Sequence, residues 1–69
     1  MDTTLSLYRI FYTVVQCGSI SAAARHLYIS QPAISKSISN LENELQTHLF
    51  ERTSRGVSLT EEGQLLFHH

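Results

Sequence analysis

Residues 21–45, SAAARHLYISQPAISKSISNLENEL, decide the fold of this chain. Ser21 is a good N-cap, and Ala22, Ala23, Ala24, Arg25, His26 and Leu27 continue from it as a short helix. Three alanines in a row favour helix and present no bulk, so Ala23 or Ala24 lets a second helix approach closely, as a tight turn requires. Tyr28 and Ile29 make the connection, with Ile29 expected to plug the core beneath it. Ser30 is expected to cap the next helix, and Pro32 is tolerated in its first turn because the missing N–H would be unpaired there. Ile34, Ile38, Leu41 and Leu45 then fall at i, i+4, i+7 and i+11, which at about 100° per residue makes one narrow inward stripe. Opposite that stripe lie Pro32, Lys36, Ser39, Asn40 and Asn43, with Gln31 and Ser35 on one flank. A short helix, a tight turn and a longer amphipathic helix together form a helix-turn-helix pattern.

N-terminal to this stretch, the segment over about residues 4–16 places Leu7, Ile10, Phe11, Val14 and Val15 at three- and four-residue spacing, a single buried helical face. Thr3 or Thr4 suits its start, and Gly18 sits where a left-handed stop is wanted. On the other side, residues 51–59 read as a small hairpin turning at Ser54-Arg55-Gly56, with Val57 and Leu59 alternating around Ser58. Thr60 caps a fourth helix whose first turn carries Glu61 and Glu62, well placed against its N-terminal dipole. That helix is still running at the last residue, so the chain is expected to be part of a longer protein.

Composition narrows the function classes. The 69 residues form one domain, and a chain this short buries only about 60% of the surface it exposes when unfolded. Apolar residues make up 42%, enough for one small core and too many for disorder. Without a run of about 18 apolar residues no membrane span is expected, and the N-terminus lacks the basic start and apolar block of a signal peptide. The single cysteine, Cys17, has no partner for an internal disulfide, which makes a reducing, cytoplasmic setting the expectation. Cys17 and the histidines at 26, 48, 68 and 69 form no zinc pattern, so neither a metal site nor a catalytic residue is expected. His68-His69 reads equally as native helix or as the start of a tag.

Three features bear on nucleic acid. The outer face of the third helix is short and polar, with one lysine and no acid before Glu42, whereas ordinary solvated helices favour Glu, Lys and Arg. The major groove is roughly 12 Å wide and admits a helix whose facing side chains do not hold it away. Gln31, Ser35, Lys36 and Ser39 suit contact with base edges there. The helix starts at Ser21 and Ser30 offer unpaired N–H groups to phosphate oxygens, although every helix start needs capping. Arg52 and Arg55 bracket a hairpin that can lie on the backbone or dip into the minor groove, like the wing of a winged helix. Against this stands a net charge of −1, from five Lys/Arg and six Asp/Glu, where nucleic-acid readers are commonly basic. The balance leaves a second reading open: a winged-helix protein-interaction or dimerisation module.

Gly18-Ser19-Ile20-Ser21, Ala23-Ala24, Leu27 and Ser30-Gln31-Pro32-Ala33-Ile34-Ser35 together resemble the LysR-type transcriptional regulators of bacteria. So do Ile38, Leu41-Glu42, Glu44-Leu45, Leu49-Phe50-Glu51-Arg52 and Leu59-Thr60 with Glu62-Gly63. The resemblance implies a mainly α winged helix-turn-helix: a three-helix core, a small β-hairpin wing and the start of a linker helix. Residues 1–60 would be the DNA-binding domain, with the helix-turn-helix about 21–45 and the wing about 49–59. Residues 61–69 would begin a linker and dimerisation helix, truncated here. It further implies that Gln31, Pro32, Ser35 and Lys36 meet the major groove, that Ser21 contacts phosphate and that Arg52 belongs to the wing. Expected partners are double-stranded DNA bearing an interrupted palindrome and a second copy of the protein. The resemblance also implies that the domain itself takes no cofactor and that a small-molecule effector belongs to a C-terminal domain absent here. Two departures stand out: Lys36 where arginine is common, and Gln46 where glycine usually follows the helix. Leu65, Leu66 and Phe67 are expected to lie exposed in a single chain or to make a reduced dimer contact.

Overall fold

The structure, a computed structural model, describes residues 3–53 and 56–68, with side chains from Ser6 onward. Its elements run α1 (Thr3–Cys17), α2 (Ile20–Leu27), α3 (Gln31–Leu45), β1 (Phe50–Thr53), β2 (Gly56–Leu59) and α4 (Glu61–Phe67). The apolar spacing of α1 turns Leu7, Phe11 and Val14 inward, and Ile10 and Val15 pack at the edge of the same core. Thr13 is the one buried polar side chain among the described residues, and its hydroxyl donates to the Arg9 carbonyl one turn back at 2.9 Å. The expected cap at Thr3 or Thr4 falls outside the described side chains.

Gly18 ends α1 with φ +79, a left-handed conformation that glycine adopts without steric penalty. The chain turns so tightly there that Ser19 is already extended, at φ −158 and ψ 155. Its hydroxyl oxygen accepts from the Ala22 N–H at 3.0 Å. Ser19, not Ser21, is therefore the N-cap of α2, and Ser21 sits inside the first turn. The two serines are alike in propensity; the position of the glycine turn chooses between them.

Both Ala23 and Ala24 are buried, as close approach between α2 and its neighbours requires. Tyr28 then takes the left-handed cap at φ 59, and the Tyr28 and Ile29 N–H groups both donate to the Ala24 carbonyl. This sharp exit throws the connection outward. Ile29 is 38% exposed and Tyr28 is 94% exposed, so Ile29 does not plug the core. Ala23, Ala24 and the partly buried Leu27 do so instead.

Ser30 caps α3 through the Ala33 N–H at 3.3 Å, with Pro32 in the first turn. Ile34, Ile38 and Leu41 are buried as their spacing predicts. The stripe stops there: Leu45, in the last turn, is 38% exposed, and the chain leaves the helix at the next residue. Phe11, Val14, Ile34, Leu41 and Leu49 form the fully buried centre. Phe11 also sets its ring 5.3 Å from that of Phe50, which joins the wing root to α1.

The strands β1 and β2 pair antiparallel in the register Phe50↔Leu59, Glu51↔Ser58, Arg52↔Val57 and Thr53↔Gly56. The first strand thus begins one residue before the hairpin pattern of residues 51–59 and inside the expected wing of about 49–59. Ser54 and Arg55, expected at the turn, lie outside the described residues; Gly56 has φ +131. Thr60 caps α4 through the Gly63 N–H at 3.0 Å. Gly63 is buried so close to the wing root that a Cβ would clash with the Leu49 carbonyl oxygen and the Leu59 side chain. Leu66 and Phe67 are not left exposed: both pack against the core, Tyr12 donates to the Leu66 carbonyl at 3.3 Å, and its ring lies 5.3 Å from Phe67. Leu65 alone of the three points out, 68% exposed.

The reassigned cap gives a direct test. Ser19→Ala should lower the unfolding free energy by about 1 kcal/mol and Ser21→Ala by much less, measured by denaturant titration. A larger loss for Ser21→Ala than for Ser19→Ala would return the cap to Ser21.

Candidate nucleic-acid interface

The buried stripe of α3 sets which side chains face out. Gln31, Pro32, Lys36, Ser39, Asn40 and Asn43 are all exposed, and Ser35 is half-buried on the flank. The exposed set is therefore short and uncharged apart from Lys36. Such a surface brings hydroxyl, amide and ammonium groups to one side of a cylinder about 10–12 Å across, a width the major groove accepts.

The turn sets one side of α2, from Ser21 to Tyr28, beside the start of α3. Ser21, Arg25, Tyr28, Ile29, Ser30 and Gln31 border one open concavity of about 670 Å³, together with Ala24. Within it the Arg25 guanidinium donates to the Ser21 hydroxyl at 3.4 Å. Ser21 and Ser30, predicted to contact phosphate, thus share a single surface with Gln31, predicted to face the bases, although they lie on different helices. Arg25 and Tyr28, which spacing did not single out, belong to the same surface. Exposure of Tyr28 follows from its left-handed backbone, and tyrosine carries no sequence signal for that conformation.

Arg52 is exposed on β1, opposite Val57, and Arg55 falls outside the described residues. The wing root is fastened to α3 by a group that sequence reading passed over. One carboxylate oxygen of Glu42, Oε2, accepts the Leu49 N–H at 2.7 Å and the Phe50 N–H at 3.3 Å. His48 Nδ1 stands 3.9 Å from the same oxygen, with the imidazole 89% exposed and the carboxylate side chain 18% exposed. In the sequence Glu42 is only the first acid of the third helix, and only the tertiary fold carries it to backbone seven and eight residues ahead. Thr60 completes the junction, its hydroxyl donating to the His48 carbonyl at 2.6 Å and its N–H to the Leu49 carbonyl at 3.0 Å.

Gln46 leaves α3 in the left-handed conformation, φ 54 and ψ 45, with its N–H directed to the Asn43 and Glu42 carbonyls. The backbone here does what a glycine would do without strain, and a glutamine holds it. Among the described residues no group of three His, Cys, Asp or Glu side chains stands close enough to share a metal ion. No helix among them is long and apolar enough to cross a membrane.

The model of the bacterial regulatory helix-turn-helix proteins of the lysR family matches residues 5–64. A probable RuBisCO transcriptional regulator of Cyanidioschyzon merolae is 52% identical over 64 residues, which cover 93% of this chain and 21% of that protein. The crystal structure of the CbnR DNA-binding domain in complex with DNA superposes with a TM-score of 0.89 at 34% identity, covering 99% of this chain and 76% of the other. The complex of the BenM DNA-binding domain with benA site 1 DNA gives a TM-score of 0.87 at 41% identity, covering 99% and 77%. The chain spans about a fifth of the length of the curated relatives it matches.

The strained exit of α3 predicts a gain. A non-glycine residue in this conformation costs roughly 1–2 kcal/mol, partly offset by the greater freedom of glycine in the unfolded chain. Gln46→Gly should therefore raise the unfolding free energy by about 0.5–1 kcal/mol in a denaturant titration. A loss would mean that the glutamine side chain holds the turn.

Proposed function

Because this chain belongs to the LysR family of bacterial regulatory helix-turn-helix proteins, we propose that it reads duplex DNA sequence-specifically, with α3 in the major groove and the β1–β2 wing on the backbone or neighbouring minor groove. The observation that carries the reading is the outer face of α3: short, exposed and free of acids before Glu42, in a fold that superposes closely on domains solved with DNA.

The roles follow from chemistry. Gln31 and Ser35 exchange hydrogen bonds with base edges, and Ser39 extends the same face by one turn. Pro32 makes an apolar contact of the kind a thymine methyl accepts. Lys36 supplies a compact, flexible charge that reaches a guanine edge or a phosphate, with less directional definition than an arginine fork. Ser21 and Ser30 face phosphate oxygens at the two helix starts, and Arg52 and Arg55 hold the wing to the backbone. Phosphate contacts give affinity and register; the α3 face gives sequence.

In the whole protein, residues 1–60 form the reading domain and residues 61–69 open the linker helix. Two copies pair through that helix, so that two α3 helices meet an interrupted palindrome. A further C-terminal domain takes a small-molecule effector, and the protein works in the cytoplasm as a transcription regulator, with no catalytic step of its own. The exposed Leu65 on α4 supports the pairing role, since it presents apolar surface to a second copy.

Two substitutions test the map. Lys36→Ala should weaken duplex binding about tenfold while leaving the melting temperature unchanged. Ser35→Trp should abolish sequence preference by lifting α3 from the groove. Wild-type affinity should also fall steeply with salt, as about 4–6 phosphate contacts per chain require. Gel shifts showing wild-type affinity for both variants would refute the assignment. The absence of any duplex binding at low salt would favour an interaction module, the reading that the net charge of −1 supports.

A further inference from the structure

We infer that Glu42 is a positioning residue for DNA reading: it locks the wing root to α3, so that one carboxylate sets the spacing between the base-facing side chains and the wing cation Arg52. The inference rests on the DNA-reading function proposed above. Glu42 lies one turn beyond Ser39 on α3, so it is rigidly tied to the base-facing surface. Its Oε2 accepts both the Leu49 and Phe50 N–H groups, at 2.7 and 3.3 Å. Phe50 is the first residue of β1, and Arg52 follows two residues later, roughly 7 Å along the strand. A shift of the root is therefore passed to Arg52 almost undiminished.

Charge and burial fit this role better than a solvated surface acid. The Glu42 side chain is only 18% exposed, and Leu49, whose N–H it takes, is buried at 1%. Bonds from backbone N–H to an ionised carboxylate are stronger than bonds to a neutral acceptor. The far side of the root is held separately, by the Thr60 N–H on the Leu49 carbonyl and the Phe50 ring against Phe11. Loss of Glu42 thus leaves the core in place but removes the hydrogen bonds that tie the root backbone to α3, so the spacing of the wing from α3 is less tightly set.

The test is a double-mutant cycle on the 69-residue chain, using a duplex that the wild type enriches from a random pool. Glu42→Ala and Arg52→Ala should each weaken binding about 5–10-fold, with the double variant no more than about twofold weaker than either. Each should lower the slope of log affinity against log salt by about one phosphate contact. Glu42→Gln keeps an acceptor oxygen at the same reach and should bind within about threefold of wild type. Hydrogen exchange of the Leu49 and Phe50 amides should accelerate at least tenfold in Glu42→Ala while the α1 amides hold. If Glu42→Ala fails to fold, Glu42→Asp, which keeps the charge and shortens the reach by one methylene, takes its place in the cycle. Independent, multiplying losses for the two sites, or unchanged binding by Glu42→Ala, would overturn the inference and leave the DNA reading standing. A wild-type chain that enriches no duplex would overturn the DNA reading and this inference with it.

Discussion

The packing of Ile34, Ile38 and Leu41 into the cleft made by α1, α2 and the wing root is the constraint on which the rest of the molecule depends. Ile34 and Leu41 are wholly buried, in one cluster with Phe11, Val14 and Leu49. Burial of such side chains is worth about 1.5–3 kcal/mol each, a large share of the stability available to a domain this small. A rotation of α3 by one residue, about 100°, would expose that stripe and drive polar side chains into the core. The helix therefore has one permitted orientation, and its outward face is fixed as a consequence. What that face can do is decided by which residues the apolar stripe leaves over.

Leu49 is the second pivot. Its side chain closes the core beneath α3, and its backbone is held on both sides, the N–H by Glu42 and the carbonyl by Thr60. Gly63 fits against it where no side chain could. Reading helix, wing and α4 thus meet at a single residue. The arrangement also bears on the near-neutral charge of the chain. Glu42 is the first acid along α3, and its carboxylate is engaged by two backbone donors. Lys36 and Arg52 are exposed, as are the acids Glu44 and Glu51, on a chain whose total charge is −1.

Local rules made much of this legible from residue order. Glycine at 18, serine at 30 and threonine at 60 act within a few residues, and the period of α3 declares its buried face. The departures arise where a distant or geometric cause intervenes. Ser19 displaces Ser21 as a cap because the turn at Gly18 is tighter than spacing reveals. Ile29 is lifted out of the core by a left-handed tyrosine, a conformation with no sequence signature. Leu66 and Phe67 are covered because Tyr12, more than fifty residues earlier, folds over them. The role of Glu42 was invisible for the same reason, since its partners exist only once the chain has turned back on itself. The outer face of α3 was readable as a surface, while the concavity joining Ser21, Arg25, Tyr28 and Gln31 required the angle between two helices.

One face of this domain, and no other, is expected to meet DNA. Amide chemical-shift mapping of the chain titrated with a short duplex at low salt tests it most directly. The account predicts perturbations concentrated at residues 19–22, 30–40 and the β1–β2 wing, with α1 and the exposed Leu65 side of α4 unchanged. Perturbations centred on α4, or spread evenly over the surface, would contradict it.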